Sequence, residues 1–177
     1  MKSKKIRIQL SGTTYELPSN SLMVDKWDNT QFIYMNAKNS ASVIKQYVKK
    51  NFPGVRVWSS SDVYSGGSSV RVNVCNSDGS PISLPIFSQI HSFGKLLQAG
   101  KYDGMTDCYE YYDVEVRTDN GTQLKYFPSY VFVENKAPWD TVEYWVNEIK
   151  NEGRTLEKEL TYMKKGMAEK VIQALSL

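Results

Sequence analysis

The chain is 177 residues long, 41% apolar and 12% aromatic, values that suit one globular domain or a small domain with an appendage and exclude a disordered chain. Its 22 Lys and Arg against 19 Asp and Glu leave a net charge of +3, which excludes a DNA mimic, whose surface needs dense negative charge, and falls short of a dedicated nucleic-acid arm. No apolar run reaches about 18 residues, the start turns polar by Ser11, and Cys75 and Cys108 form no Cys-x-x-Cys pair, so a soluble, non-secreted, cytoplasmic protein is expected, without disulfide framework or zinc knuckle.

Residues Lys5 to Leu10 alternate apolar with polar, Ser11-Gly12-Thr13 has turn chemistry, and Thr14 to Leu17 reads as the return strand. Gln31 to Met35 is a third strand. A helix capped by Asn39 or Ser40 follows, with Ile44, Tyr47, Val48 and Phe52 as its apolar stripe and Pro53-Gly54 as its stop. Val70, Val72 and Val74 alternate with polar neighbours in a half-buried strand whose partner is Val55 to Trp58. Ser59 to Ser69, centred on Gly66-Gly67, reads as a flexible connection.

Asp78-Gly79 marks a turn, and Ile86, Ile90, Phe93 and Leu97 lie along a second helix, with Gly100 expected just past its end. At Asp119-Asn120-Gly121 a two-residue loop would mix the faces of the flanking strands. A three-residue loop sets Val116 opposite Leu124 and Val114 opposite Tyr126, predicting a core face of Tyr112, Val114, Val116, Leu124 and Tyr126. Pro128 breaks the ladder, so Tyr130 to Val133 is placed at an edge. From Pro138 the pattern is helical. Val142, Trp145, Val146 and Ile149 form one stripe, Gly153 interrupts it, and Thr155 caps a helix bearing Leu156, Leu160, Met163, Met167, Val171 and Ala174.

The order of these features carries a resemblance. A helix, then Asn51-Phe52-Pro53-Gly54-Val55, the Ser-Gly-Gly-Ser strand at Ser65 to Ser68, Asp103-Gly104-Met105, Tyr109-Glu110-Tyr111 and Tyr130 to Asn135 resemble the twenty-ninth large polyvalent protein-associated domain of bacteriophages and conjugative elements, over about residues 41–136. The resemblance implies a mobile-element origin and supplies no catalytic residues.

Asp103, Asp107 and Glu110 are spaced closely enough to gather around a divalent cation, yet Asx turns and a solvated strand residue explain them without one, and no metal or cofactor is expected. The sole histidine, His91, sits beside the apolar stripe of its helix, and neither cysteine has basic neighbours, so no nucleophile with its own base can be assembled. Gly66 and Gly67 suggest an anion nest but lack the following helix that completes a phosphate loop. Lys45, Lys49, Lys50 and Arg56, with N-terminal Lys2, Lys4, Lys5 and Arg7, are candidate nucleic-acid contacts, to which Tyr64, Tyr109 and Tyr111 would add stacking.

The expected fold is α+β, an antiparallel sheet with helices packed on one face (1–136) and a helical appendage (137–177) in the same unit. The mobile-element setting that the resemblance implies makes the expected function that of an accessory protein that binds a host effector protein stoichiometrically, an anti-CRISPR-type inhibitor of host defence, in the cytoplasm of the bacterial host. The alternatives are a DNA- or RNA-binding accessory module and a metal-dependent enzyme using the acidic loop. The candidate binding residues are Tyr64, Gly66, Gly67, Asp103, Asp107, Tyr109, Glu110 and Tyr111, with Leu156, Leu160, Met163, Met167 and Val171 as a self-association stripe for a homodimer.

Overall fold

The computed structural model describes residues 4–112 and 115–176. Strands β1 (Lys5–Leu10) and β2 (Thr13–Pro18) form the first hairpin. Its turn holds Ser11 and Gly12 at φ 49° and 79°, both in the left-handed region that two-residue hairpin turns use to match strand twist. Strand β3 (Leu22–Val24), too short for periodicity to announce, pairs with β4 (Gln31–Tyr34).

Helix α1 (Ala37–Asn51) begins earlier than expected. Asn36 is its cap, accepting a 2.9 Å bond from the Asn39 amide. The two residues expected at the cap are buried and tie the helix to what precedes it. The Asn39 side chain donates to Ser21 Oγ and the Tyr34 carbonyl, and the Ser40 hydroxyl donates to the Met35 carbonyl.

Strands β5 (Arg56–Tyr64) and β6 (Gly67–Cys75) are paired along their whole length. The Ser- and Gly-rich segment expected to be a flexible connection is therefore mostly strand, turned by Ser65 and Gly66 alone. Gly66 takes φ 87°, where a glycine has no Cβ to oppose it. Helix α2 (Leu84–Leu96) follows. Gly100 does not cap it but opens β7 (Gly100–Asp103), paired with β8 (Cys108–Tyr111), and a Cβ there would overlap the Glu110 carbonyl.

Strands β9 (Val116–Arg117) and β10 (Gln123–Lys125) keep the expected register, Val116 opposite Leu124, with Gly121 at φ 88° in the loop. Val114 lies outside the described residues. Of the remaining core face, Val116 and Leu124 are buried while Tyr112 and Tyr126 are exposed. Tyr126 takes φ 67°, which ends β10 and turns its ring across Phe32 and Tyr34.

Strand β11 (Tyr130–Glu134) lies at a sheet edge, as expected, but runs parallel to β6 in the order β11-β6-β5. The second multistranded sheet, β3-β4-β10-β9, is also mixed, β4 and β10 being parallel. One continuous core joins Tyr15 and Leu17 of the first hairpin, Ile33 and Leu124 of the second sheet, Val43, Ile44 and Val48 of α1, Ile90 of α2 and Val70, Val72 and Val74 of β6. Ring stacking of Tyr47 on Phe93, at 3.9 Å and 6°, locks the two inner helices together. The fold is α+β.

After Pro138 come α3 (Val142–Lys150), α4 (Leu156–Glu159), a 3-10 turn at Leu160–Tyr162 and α5 (Met167–Leu175). The expected long stripe is thus broken, because Gly166 takes φ 80° and forces a bend before α5. Val171 is fully buried against Trp145 and Val146 of α3, and Leu156, Met163 and Met167 pack partly around them. Leu160 stays half-exposed. The stripe is used inside the chain, which removes the reason for assigning it to self-association. No helix among the described residues is long and apolar enough to cross a membrane.

Candidate functional site

The sheet β11-β6-β5 has two unlike faces, set by the alternation of its strands. Val131 and Val133 of β11 lie against Gly94 of α2, and Val70, Val72 and Val74 of β6 enter the core. The register then places Tyr130, Phe132 and Glu134 beside Ser69, Arg71 and Asn73, and these beside Asp62, Ser60 and Trp58, all on the opposite, outer face.

The outer face is built from rings and one ion pair. Tyr130 and Phe132 stack two residues apart, with centroids 5.9 Å apart and planes at 13°. The Arg71 guanidinium lies 5.5 Å over the Phe132 ring and pairs with the Glu134 carboxylate. Asn73 donates to Glu134 and, at 3.1 Å, to the Lys136 carbonyl. Phe132 and Tyr64 are each 43% exposed, where Val70, Val72, Val74 and Val131 of the inner face are fully buried.

Toward the β5–β6 turn the face is extended by the β7–β8 hairpin. The Tyr109 hydroxyl donates to the Ser129 carbonyl just before β11, and its ring meets Tyr130 edge-on at 5.5 Å and Tyr111 at 5.0 Å. Gly67 permits this closeness, since a Cβ there would lie 2.7 Å from Ser129 Oγ and 3.2 Å from the Tyr64 ring. Burial raises the Tyr109 phenol to about 12, with Tyr130 adding to the effect, and raises that of Tyr64 in the same way. These phenols are neutral donors at any physiological pH.

At the other end the face runs into the C-terminal segment. A cleft of about 670 Å³ lies between Trp58, Arg71 and Glu134 on the sheet and Lys136, Trp139 and Tyr144 beyond it. Lys136 stands 5.3 Å over the Tyr144 ring and Lys164 5.2 Å over Trp139, whose side chain is 59% exposed. Cys75, at the covered end of β6, is wholly buried, and its thiol is pushed up to about 12, so it is a packing residue.

The structure brings together Tyr64, Gly66, Gly67, Tyr109 and Tyr111 from the sequence-based set, with Arg56 farther along the same face of β5. Lys45, Lys49 and Lys50 ride on α1, which packs on the inner face, and Lys50 reaches the Thr14 carbonyl of the first hairpin. They do not share a surface with the tyrosines.

The acidic loop resolves into separate local roles. Asp103 accepts from the Met105 amide and the Thr106 hydroxyl at 2.9 Å each, and these bonds hold its carboxyl below the usual range. Asp107, at φ 55°, accepts from the Tyr102 hydroxyl, and Glu110 pairs with Lys101 at 3.6 Å. Among the described residues no group of three or more His, Cys, Asp or Glu is placed to hold a metal ion. His91 lies beside Phe87 on α2, its ring centroid 6.0 Å from that of Phe87.

Sequence reasoning missed Trp58, Arg71, Phe132 and Tyr144. The signal for Phe132 was present in the alternation Tyr130-Val131-Phe132-Val133, but nothing in it says which neighbour Phe132 meets. No curated protein and no solved structure matches the chain. Over residues 35–138, more than half of its length and every strand of the outer face, it matches the large polyvalent protein associated domain 29 family, and the chain belongs to that family of phage- and mobile-element-associated domains.

Proposed function

We propose that the protein is a non-catalytic binding module that captures a host effector protein, one to one, on the outer face of β5, β6 and β11 and the adjoining β7–β8 hairpin. The observation that carries this reading is the run of partly exposed rings, Tyr111, Tyr109, Tyr130, Phe132 and Tyr64, on a sheet face that no element among the described residues covers at that end. Rigid aromatic side chains bury large area at little entropic cost, and Tyr, Trp and Arg dominate the energetics of protein interfaces. The family's association with phages and mobile elements is the ground for taking a component of host defence as the partner, a reading in which the protein would act as an anti-CRISPR-type inhibitor.

The test is a plaque assay in a bacterium with an active CRISPR system. The protein should restore infection by a targeted phage, Tyr64→Ala with Phe132→Ala should lose the restoration, and Lys45→Ala with Lys49→Ala should keep it. Restoration that survives the face substitutions contradicts the assigned surface, and no restoration against any system tested removes the host-defence reading.

A second reading has one specific support. Parallel rings with a guanidinium over one of them, on an open sheet face, also suit the stacking of single-stranded bases. It predicts that a labelled oligonucleotide of about 20 nucleotides binds with a steep salt dependence that Arg71→Ala reduces. The separation of Lys45, Lys49 and Lys50 from the face is the reason this reading stands second.

A further inference from the structure

Strand β5 is an edge of its sheet, and its free side is unusually open. Nine residues long, it contains no proline and only two charges, Arg56 and Asp62. Ser60 through Tyr64 are all exposed, with Val63 at 79%. Natural edges of this length are ordinarily blunted by proline, lysine, a bulge or a covering loop. Here the pairing with β6 runs without a bulge from Arg56 to Tyr64.

The free side has a defined pattern. The two-residue turn makes Tyr64 and Gly67 a hydrogen-bonded pair, and such pairs alternate along an antiparallel ladder. Asp62, Ser60, Trp58 and Arg56 therefore bond inward to β6. The amides and carbonyls of Val57, Ser59, Ser61 and Val63 point outward.

We propose that this edge pairs with the same edge of a second copy, antiparallel about a two-fold axis at Ser60. In that register Val57 meets Val63 of the other copy and Ser59 meets Ser61, so the outward-pointing backbone groups meet their own kind in hydrogen-bonded pairs. On the outer face Arg56 meets Tyr64, a cation over a ring, and Ser60 meets itself. The isolated Val63 gains an apolar neighbour, and no like charges face each other. A two-fold interface must be self-complementary, and this nine-residue strand is. The product is a six-stranded sheet whose two outer faces are continuous, which would present any partner with paired copies of the candidate site.

The experiment is light scattering across a concentration series, with no partner present, so its outcome is independent of the proposed function. The wild type should reach twice the chain mass. Ser61→Pro removes an outward amide from each copy, and Val63→Lys sets a charge in the seam. Each should weaken dimerisation by about tenfold or more while the circular dichroism stays native. A crosslinking arm needs no strand to be disrupted. In a Cys108→Ser background, Ser60→Cys should oxidise to a covalent dimer, whereas Asp62→Cys, about 13 Å from its own copy in this register, should not. A wild type that stays monomeric throughout overturns the proposal, as does a dimer indifferent to both strand substitutions or equal crosslinking at both positions.

Discussion

At Gly79 the backbone stands at φ 84° against the first turn of α3, where an added Cβ would overlap the Glu143 carbonyl oxygen. Gly79→Ala therefore combines a left-handed backbone that alanine resists with a clash against main chain, and it should cost at least about 2 kcal/mol, read as a fall in the urea midpoint. Gly12→Ala makes a useful contrast, with similar φ but open space around the added carbon, and should cost about half as much. Ionisation gives a second residue-scale expectation. Burial lifts the Tyr15 and Tyr109 phenols from 10.0 to about 12 and the Cys75 thiol from 9.0 to about 12. The unfolded chain releases these protons first, so the native state holds more protons between about pH 9 and 12. The stability they contribute is complete below about pH 9 and is lost as pH rises toward 12. Unfolding midpoints measured from pH 8 to about 11 should fall; a flat or rising profile would contradict the burial of these groups.

Among the elements, the local ones were legible and the long-range ones were not. The Val116 to Leu124 register was readable because faces must match across a short loop, and the strands of the first hairpin because alternation and turn chemistry coincide. The Ser59 to Ser69 segment misled, since serine and glycine suggest a loop while a strand that is open on one side tolerates them. Asn39 and Ser40 were misplaced as caps because burial of their side chains against Ser21, Tyr34 and Met35 depends on tertiary contacts. The C-terminal stripe was seen, but Gly166 bends it back onto α3. Val171→Ala should accordingly cost about 2 kcal/mol by opening a cavity beside Trp145 and Val146, with tryptophan fluorescence as the probe. A loss of mass by light scattering with unchanged stability would instead mean that Val171 serves a contact between chains.

For the molecule as a whole, the candidate site exists only through the parallel placement of β11 beside β6, which brings Phe132 and Glu134 to Arg71 across about sixty residues of sequence. No periodicity encodes that neighbourhood, so the tyrosines could be nominated singly but the face they form could not be. Capture from a lysate of a phage-sensitive host, quantified by mass spectrometry, tests the face most directly when wild type is compared with variants of each surface. Proteins held in near-equimolar amount by the wild type should fall at least about tenfold with Phe132→Ala and Arg71→Ala together, the scale of two interface anchors. They should be retained by Lys45→Ala with Lys49→Ala on the opposite side. Undiminished capture by the outer-face variant, with loss in the α1 variant, would place the function on the other side of the molecule.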